Sequence, residues 1–235
     1  EMRWAKKPCR TLSEHIGRIP LVMISPSDQQ IITGGSDIRR KFVDGVISQT
    51  DHAYLDHLIN YTKAVEQRNR LLKQMWEDRL FDEAMLAVWD EQLCTHGDPI
   101  LDARRRFVVD FAPIFRRYYS HIASVDEPGT IDYSPADAPL LQQLADCRQA
   151  DKYSQYTNAG PHKDDFHFML GPDMQVKRFG SQGQQKTFAL ALKLAQFEYI
   201  ESHCGEKPIL LLDDIFDKLD LDRIRQLIAL VGSKH

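Results

Sequence analysis

The chain has 235 residues, 43% hydrophobic and 27% charged, with a formal net charge of −4. That suits one sizeable folded domain or two modest ones, and it excludes a global positive field as the means of holding nucleic acid, so any such contact must be local or come from an assembly. Cys9, Cys94, Cys147 and Cys204 lie far apart, which argues against a disulfide framework or zinc site and fits a reducing cytosol; no apolar run approaches the roughly 20 residues of a membrane span, and no charged-then-apolar leader is seen.

In chain order, residues 15–35 predict a short strand and loop. The apolar run Leu21–Ile24 is punctuated by Pro20, Pro26 and Gly34-Gly35. The polar turn after it (Ser25, Ser27, Asp28, Gln29) reads as a plain connection, although a ligand at the strand end would meet the same residues. From Ser36 to about Ala123 the pattern becomes helical, with Ser36 as N-cap and Asp37 in the first turn. Leu55, Leu58, Ile59, Thr62, Val65, Asn69, Leu72 and Trp76 form the stripe of one long helix. Met85, Val88, Trp89 and Leu93 form a second stripe; Phe107, Val108, Phe111, Ile114, Phe115, Tyr118 and Ile122 form a third. Gly97 with Pro99 predicts a break between them, and Pro113 a kink. Helices of this kind are expected to pack as an elongated arm. Arg39-Arg40-Lys41, Arg104-Arg105-Arg106 and Arg116-Arg117 are basic runs of the kind that line a phosphate track. Acidic residues nearly balance them, so the plainer expectation is a solvated, ion-paired face.

Pro128-Gly129 and the Pro-Ala-Asp-Ala-Pro stretch support a boundary near residue 125, followed by a strand at Ile131–Tyr133 and a helix from about Pro139 to Arg148. Gly160-Pro161-His162-Lys163-Asp164-Asp165 predicts a turn. Phe166, Phe168 and Leu170 alternate as a half-buried strand, and Met174–Phe179 is expected to return beside it. A glycine-containing turn, Arg178–Lys186, then opens a strongly apolar helix near Gln182. Ile209–Leu212 predicts a buried strand ending at Asp213-Asp214, and residues 221–231 another helix. Helix, apolar strand, helix is the layout of a parallel α/β sheet.

Two features bear chemistry. Two adjacent carboxylates at a strand tip repel one another and resist desolvation, unless a hydrated divalent cation sits beside them; the alternative is a loop acid or helix cap. Ser181-Gln182-Gly183-Gln184 is good N-cap chemistry, and it also presents unpaired backbone N–H groups to an anion. Together, with Asp217-Lys218-Leu219-Asp220 following, they resemble the signature loop, Walker B strand and D-loop of an ABC-type ATPase head.

More closely, the chain resembles the RecF family. The matching stretches are Ile16–Val22 through Ser25-Pro26-Ser27-Asp28, Arg39–Asp44, Tyr54-Leu55, Tyr61, Gln67–Lys73, Gly160–Asp165, Ser181–Lys186 and Leu192–Gln196. The implied fold is α/β, an ABC-type head lobe with an inserted long helical arm. Residues 1–35 would be the remnant of lobe I with the Q-loop region, 36–125 the arm, and 126–235 the lobe with signature, Walker B and D-loop. The resemblance implies that Ser181, Gly183 and Gln184 contact ATP held by an opposite subunit, Asp213 serves Mg²⁺, and Asp214 is the catalytic acid. Asp217 and Asp220 fall in the D-loop, and Ser27 and Asp28 near the Q-loop. Arg39, Arg40, Lys41, Arg104 and Arg105 are the DNA-facing candidates. Gly180 and Gln182 depart from the commonest ABC signature, which weakens a generic ABC reading more than the RecF one.

No Gly-x-x-x-x-Gly-Lys-Ser/Thr phosphate loop occurs in the sequence, and no switch histidine follows a further strand. The expectation is a middle-to-late portion of a longer protein, unable to cradle ATP alone. The implied function is an ATP-dependent homodimer that clamps DNA at single-strand/double-strand junctions, with mediator proteins of the RecR and RecO type assisting recombinase loading. The competing expectation is a structural, SMC-like head whose arm docks a protein without ATP turnover.

Overall fold

The computed structural model describes residues 3–4, 7–8, 15–123 and 128–213. Arg3–Trp4 (β1) pairs antiparallel with Lys7–Pro8 (β2). Leu21–Ile24 (β3) leads through a 3₁₀ turn at Pro26–Asp28 into Gln29–Thr33 (α1). Ser36–Thr50 (α2), His52–Glu77 (α3) and Glu83–Ile122 (α4) follow, the last 40 residues long and so spanning roughly 60 Å. Gly129–Tyr133 (β4) precedes Leu140–Asp146 (α5) and Arg148–Ser154 (α6). Phe166–Leu170 (β5), Met174–Gln175 (β6), Val176–Phe179 (α7), Gln182–Cys204 (α8) and Ile209–Leu212 (β7) complete the order. β3 and β7 pair in parallel, whereas β4, β5 and β6 form an antiparallel sheet. The fold is therefore the expected mixed α/β with long helices.

Local chemistry sets the helix ends. Asp51 accepts from the Tyr54 backbone N–H at 3.1 Å to cap α3, and Asp82 accepts from Ala84 and Met85 to cap α4. Gly35, not Ser36, is the N-cap of α2. One buried cluster then joins the three sequence segments: Val22 and Ile24 of β3, Phe107, Phe111 and Phe115 of α4, Phe166 and Phe168 of β5, and Phe188 of α8. Aromatic rings knit its centre, with Phe115 and Phe188 centroids 4.5 Å apart and Phe107 and Phe111 4.7 Å apart. A smaller cluster of Leu72, Met75 and Leu86 holds the far end of the α3–α4 pair.

Several expectations change. The break at Gly97 and Pro99 is absent, and α4 runs through both Pro99 and Pro113. A proline removes one helix hydrogen bond, but buried neighbours on either side, among them Leu93, Ile100 and Leu101, keep the helix continuous. Gly97 serves close approach: an added Cβ would lie 2.5 Å from Leu140 Cδ2 and 3.0 Å from a Tyr61 ring carbon. The buried face of α3 passes through Tyr54, Tyr61, Ala64, Arg68, Leu72 and Met75, leaving Trp76 exposed. On α4 the buried line is Leu86, Asp90 and Leu93, while Met85 and Val88 face out, because polar partners across the interface claim positions that apolarity alone would not. The third stripe stands, with Phe107, Phe111, Phe115, Tyr118 and Ile122 buried. The helix expected over 139–148 is two short ones, and the return strand shortens to Met174–Gln175 before a helical turn. β7 is not buried among the described residues: Ile209 is 50% and Leu211 45% exposed, because β3 is its sole described strand neighbour. The helix expected at 221–231 lies outside the described residues.

Candidate functional site

Parallel pairing sets the two strand tips side by side. The register runs from Leu21 opposite Ile209 to Ile24 opposite Leu212, and Asp213 N donates to Ile24 O at 2.9 Å. The Ser25–Gln29 turn and Asp213 thus leave neighbouring strands at the same end, the end where open α/β sheets bind ligands. Asp213 is exposed and has no ion pair with a described residue. Asp28 is committed: it accepts from Ser25 N at 2.7 Å and faces Lys193 Nζ at 3.6 Å. Burial lowers the Lys193 ammonium pKa, and the Asp28 charge works against that fall. Asp28 therefore fastens the turn to α8. Lys193 was not singled out from sequence, although a lysine inside an otherwise apolar helix was the available signal. Ser27 stays on the surface, its Oγ 2.6 Å from Ser25 Oγ.

Ser181 and Gln184 close a capping box at the start of α8. Gln184 N donates to Ser181 Oγ at 3.2 Å, and Ser181 N donates to Gln184 Oε1 at 2.7 Å. Ser181 and Gln182 are exposed. Gly180 is obligatory for space, since an added Cβ would stand 2.6 Å from the Val176 carbonyl oxygen. This accounts for one departure from the commonest signature. Gly183 is different: the nearest atom to an added Cβ is Ser181 Oγ at 3.8 Å, so the fold itself leaves room for a side chain there. Gln185 Nε2 donates to Gly180 O at 3.2 Å, while Gln185 Oε1 meets Gln29 Nε2 at a long 3.5 Å. Lys193, which meets the strand-tip turn, lies about 12 residues beyond Ser181, roughly 18 Å of helix rise. The strand-tip turn thus meets α8 twice, at Gln185 one turn in from its start and at Lys193 about two turns further on, and Ser181 is left exposed at the outer end of the helix.

The basic runs divide sharply. Arg104, an expected DNA contact, is buried: it donates to both carboxylate oxygens of Asp44, at 2.8 and 3.0 Å, and to Pro161 O at 2.6 Å. A guanidinium committed in that way has no face left for a phosphate. Arg39 forms a bidentate pair with Asp165, both distances 2.7 Å, and Arg40 donates to the Asp164 carbonyl. Lys41, Arg105 and Arg106 remain exposed, Arg105 beside Asp102 at 3.0 Å. The turn Gly160–Asp165 is thus the anchor of Arg39, Arg40 and Arg104. Its His162 Nε2 lies 3.0 Å from Thr157 O, and its Nδ1 2.8 Å from Tyr61 Oη. A second buried network joins Arg68 to Asp90 at 2.8 Å and Asp151 at 2.6 Å. Its signal was an arginine on the apolar register between Ala64 and Leu72.

Asp214, Asp217 and Asp220 lie outside the described residues. Among the described residues no group of three or more His, Cys, Asp or Glu could hold a metal ion, and no helix is long and apolar enough to cross a membrane.

No protein-family model matches the chain. Curated relatives do. A "DNA replication and repair protein RecF" of Bacteroides fragilis (strain YCH46) is 46% identical over 98% of this chain and 62% of its own length. The protein of that name from Phocaeicola vulgatus is 47% identical over 97% of this chain and 61% of its own. Among solved structures, one described as the recombination mediator protein RecF-ATPrS in the RecFOR pathway superposes with a TM-score of 0.89 at 31% identity, covering 97% of this chain and 64% of that one. A second, described as RecF-ATP, has a TM-score of 0.88 at 30% identity, covering 95% and 62%. The chain therefore spans about three-fifths of the length of these relatives, 62% for the first.

Proposed function

Because this chain belongs to the RecF family, we propose that it is the part of an ATP-binding DNA repair and replication protein that caps a nucleotide held by a second protomer. The observation that carries the reading is the placement of Ser181: exposed, and capping the start of a long helix whose first backbone N–H groups can meet an anion from outside the protomer. In the proposed dimer that helix start would meet the triphosphate held beside Asp213 of the facing protomer. Ser181, Gly183 and Gln184 are the ATP-facing residues, the open space at Gly183 admitting a phosphate close to backbone amides. Asp213 is the candidate Mg²⁺ ligand. One exposed carboxylate suits that ion, which keeps most of its waters and takes further oxygens from phosphate. Asp214 is the proposed catalytic acid, Asp217 and Asp220 the D-loop residues, and the turn at Ser27 and Asp28 the Q-loop. The ATP-linked homodimer would hold DNA at single-strand/double-strand junctions, with RecR- and RecO-type mediators as partners. Its DNA-facing candidates reduce to Lys41, Arg105 and the remaining surface of Arg39 and Arg40.

Ser181→Asp separates folding from function. Aspartate caps a helix as well as serine and favours the dipole, so stability should hold, while its charge opposes a triphosphate. In the full-length protein, light scattering should show ATP-dependent dimerisation lost with an unchanged melting curve. Dimerisation that survives the substitution rejects the cap. Asp214→Asn should retain nucleotide and abolish turnover; undiminished hydrolysis removes Asp214 from the catalytic role.

A further inference from the structure

The far end of the α3–α4 pair carries a feature that the proposed nucleotide site does not use. A hollow of about 420 Å³ is lined by Leu72, Met75, Trp76, Arg79, Phe81 and Lys152. Its floor is the small apolar cluster of Leu72 and Met75, and its walls are Trp76 and Phe81. Around it stand more exposed apolar side chains: Leu80 is 69%, Met85 52% and Tyr153 71% exposed. Such a concentration of uncovered aromatic and aliphatic surface marks an interaction site.

Arg79 supplies an independent observation. It occupies the left-handed position that ends α3, with φ 54°, where glycine normally sits. Arg79 N donates to Trp76 O and Leu80 N to Met75 O, which completes the helix-ending motif. A non-glycine residue held there is strained, and strain kept at a cavity rim points to use of the side chain. Arg79 makes no ion pair among the described residues. Lys152 Nζ lies 4.9 Å from the Phe81 ring centroid, a second cation on the same rim. Glu77 and Asp78 precede Arg79 on the surface, Asp82 caps α4 and Glu83 pairs with Arg148 at 3.3 Å, but no carboxylate among the described residues lines the hollow itself. An apolar floor with a two-cation rim is complementary to a bulky apolar side chain flanked by carboxylates.

We propose that this hollow docks a short acidic peptide segment of a partner protein, seating one bulky apolar side chain on Leu72 and Met75 and its carboxylates on Arg79 and Lys152. The test uses the full-length protein and fluorescein-labelled Asp-Asp-Asp-Leu-Phe, with Asn-Asn-Asn-Leu-Phe as the neutral comparison. The acidic peptide should bind roughly tenfold tighter or more, and Arg79→Gly should remove that advantage. Because glycine suits the left-handed position, Arg79→Gly should leave the melting temperature unchanged or raised, so lost binding cannot be ascribed to unfolding. Lys152→Glu should weaken the acidic peptide and spare the neutral one. Equal binding of the two peptides, or binding indifferent to Arg79→Gly, overturns the proposal. So does displacement of the peptide by a 20-residue oligothymidine, or a dimer that Lys152→Glu dissolves, since these would give the surface to single-stranded DNA or to a second copy.

Discussion

His162 shows how one residue's protonation is fixed by its neighbours. Thr157 O can only accept, so Nε2 carries the proton and Nδ1 accepts from the Tyr61 hydroxyl. Burial, partly offset by the Thr157 carbonyl, pushes the imidazole down to about 4 from its ordinary 6.5. Below pH 6.5 the unfolded chain takes up a proton that the folded one refuses, so stability falls as pH drops toward 4. The loss across that window should be roughly 1–3 kcal/mol. Urea titrations at pH 7.5 and 4.5 on wild type and His162→Gln isolate this contribution, and equal pH sensitivity in both proteins would remove His162 as its source. Beside it, Gly160 adopts φ +115°, and an added Cβ would lie 2.4 Å from the Tyr61 hydroxyl. Arg104 is the other residue to test. Arg104→Met leaves Asp44 without its cation, with only the Tyr54 hydroxyl donating to it among the described residues, and strands the Pro161 carbonyl, and should cost about 3–5 kcal/mol. A loss below about 1 kcal/mol in a thermal melt would mean that water replaces the guanidinium easily.

At the scale of elements, α4 is the long member around which the others are placed. It owes its unbroken course to packing rather than propensity, and Gly97 is a point of close approach to its neighbours. Gly97→Ala should destabilise by about 1–3 kcal/mol, since its Cβ meets both Leu140 and Tyr61. Chemical denaturation showing no change would reveal slack between α4, α3 and α5. Helix existence was legible because apolar residues recur at helical spacing over long windows. The exact face was not, because Arg68 and Asp90 neutralise each other across the interface and occupy apolar registers. The cap of α8 was legible in Ser181 and Gln184, whose side chains act locally. Its tie to the strand tip through Lys193 and Asp28 joins residues far apart in sequence and needed coordinates.

At the scale of the whole molecule, a net charge of −4 supplies no global positive field, so the proposed DNA contact must be local or come from an assembly. The proposed dimer should therefore bind DNA only with ATP present, and binding should weaken steeply with added salt. Lys41→Glu combined with Arg105→Glu should weaken DNA binding at least tenfold without changing ATP-dependent dimerisation, measured by anisotropy and light scattering. Unchanged DNA affinity would place the track elsewhere on the surface.

What the sequence determined by itself was local and periodic: the helices, the short parallel strands, the capped start of α8, and the ordered motif set that relates the chain to the RecF family. Those features depend on neighbours within a few residues, or on a pattern that survives without coordinates. Only the tertiary structure decided which charges are free. Arg104 and Asp28 were ligand candidates by resemblance, and folding pairs them with Asp44 and Lys193, while Ser181 and Asp213 are left open. Burial and long-range pairing set the free energy of a charge, and neither is written in its neighbours along the chain.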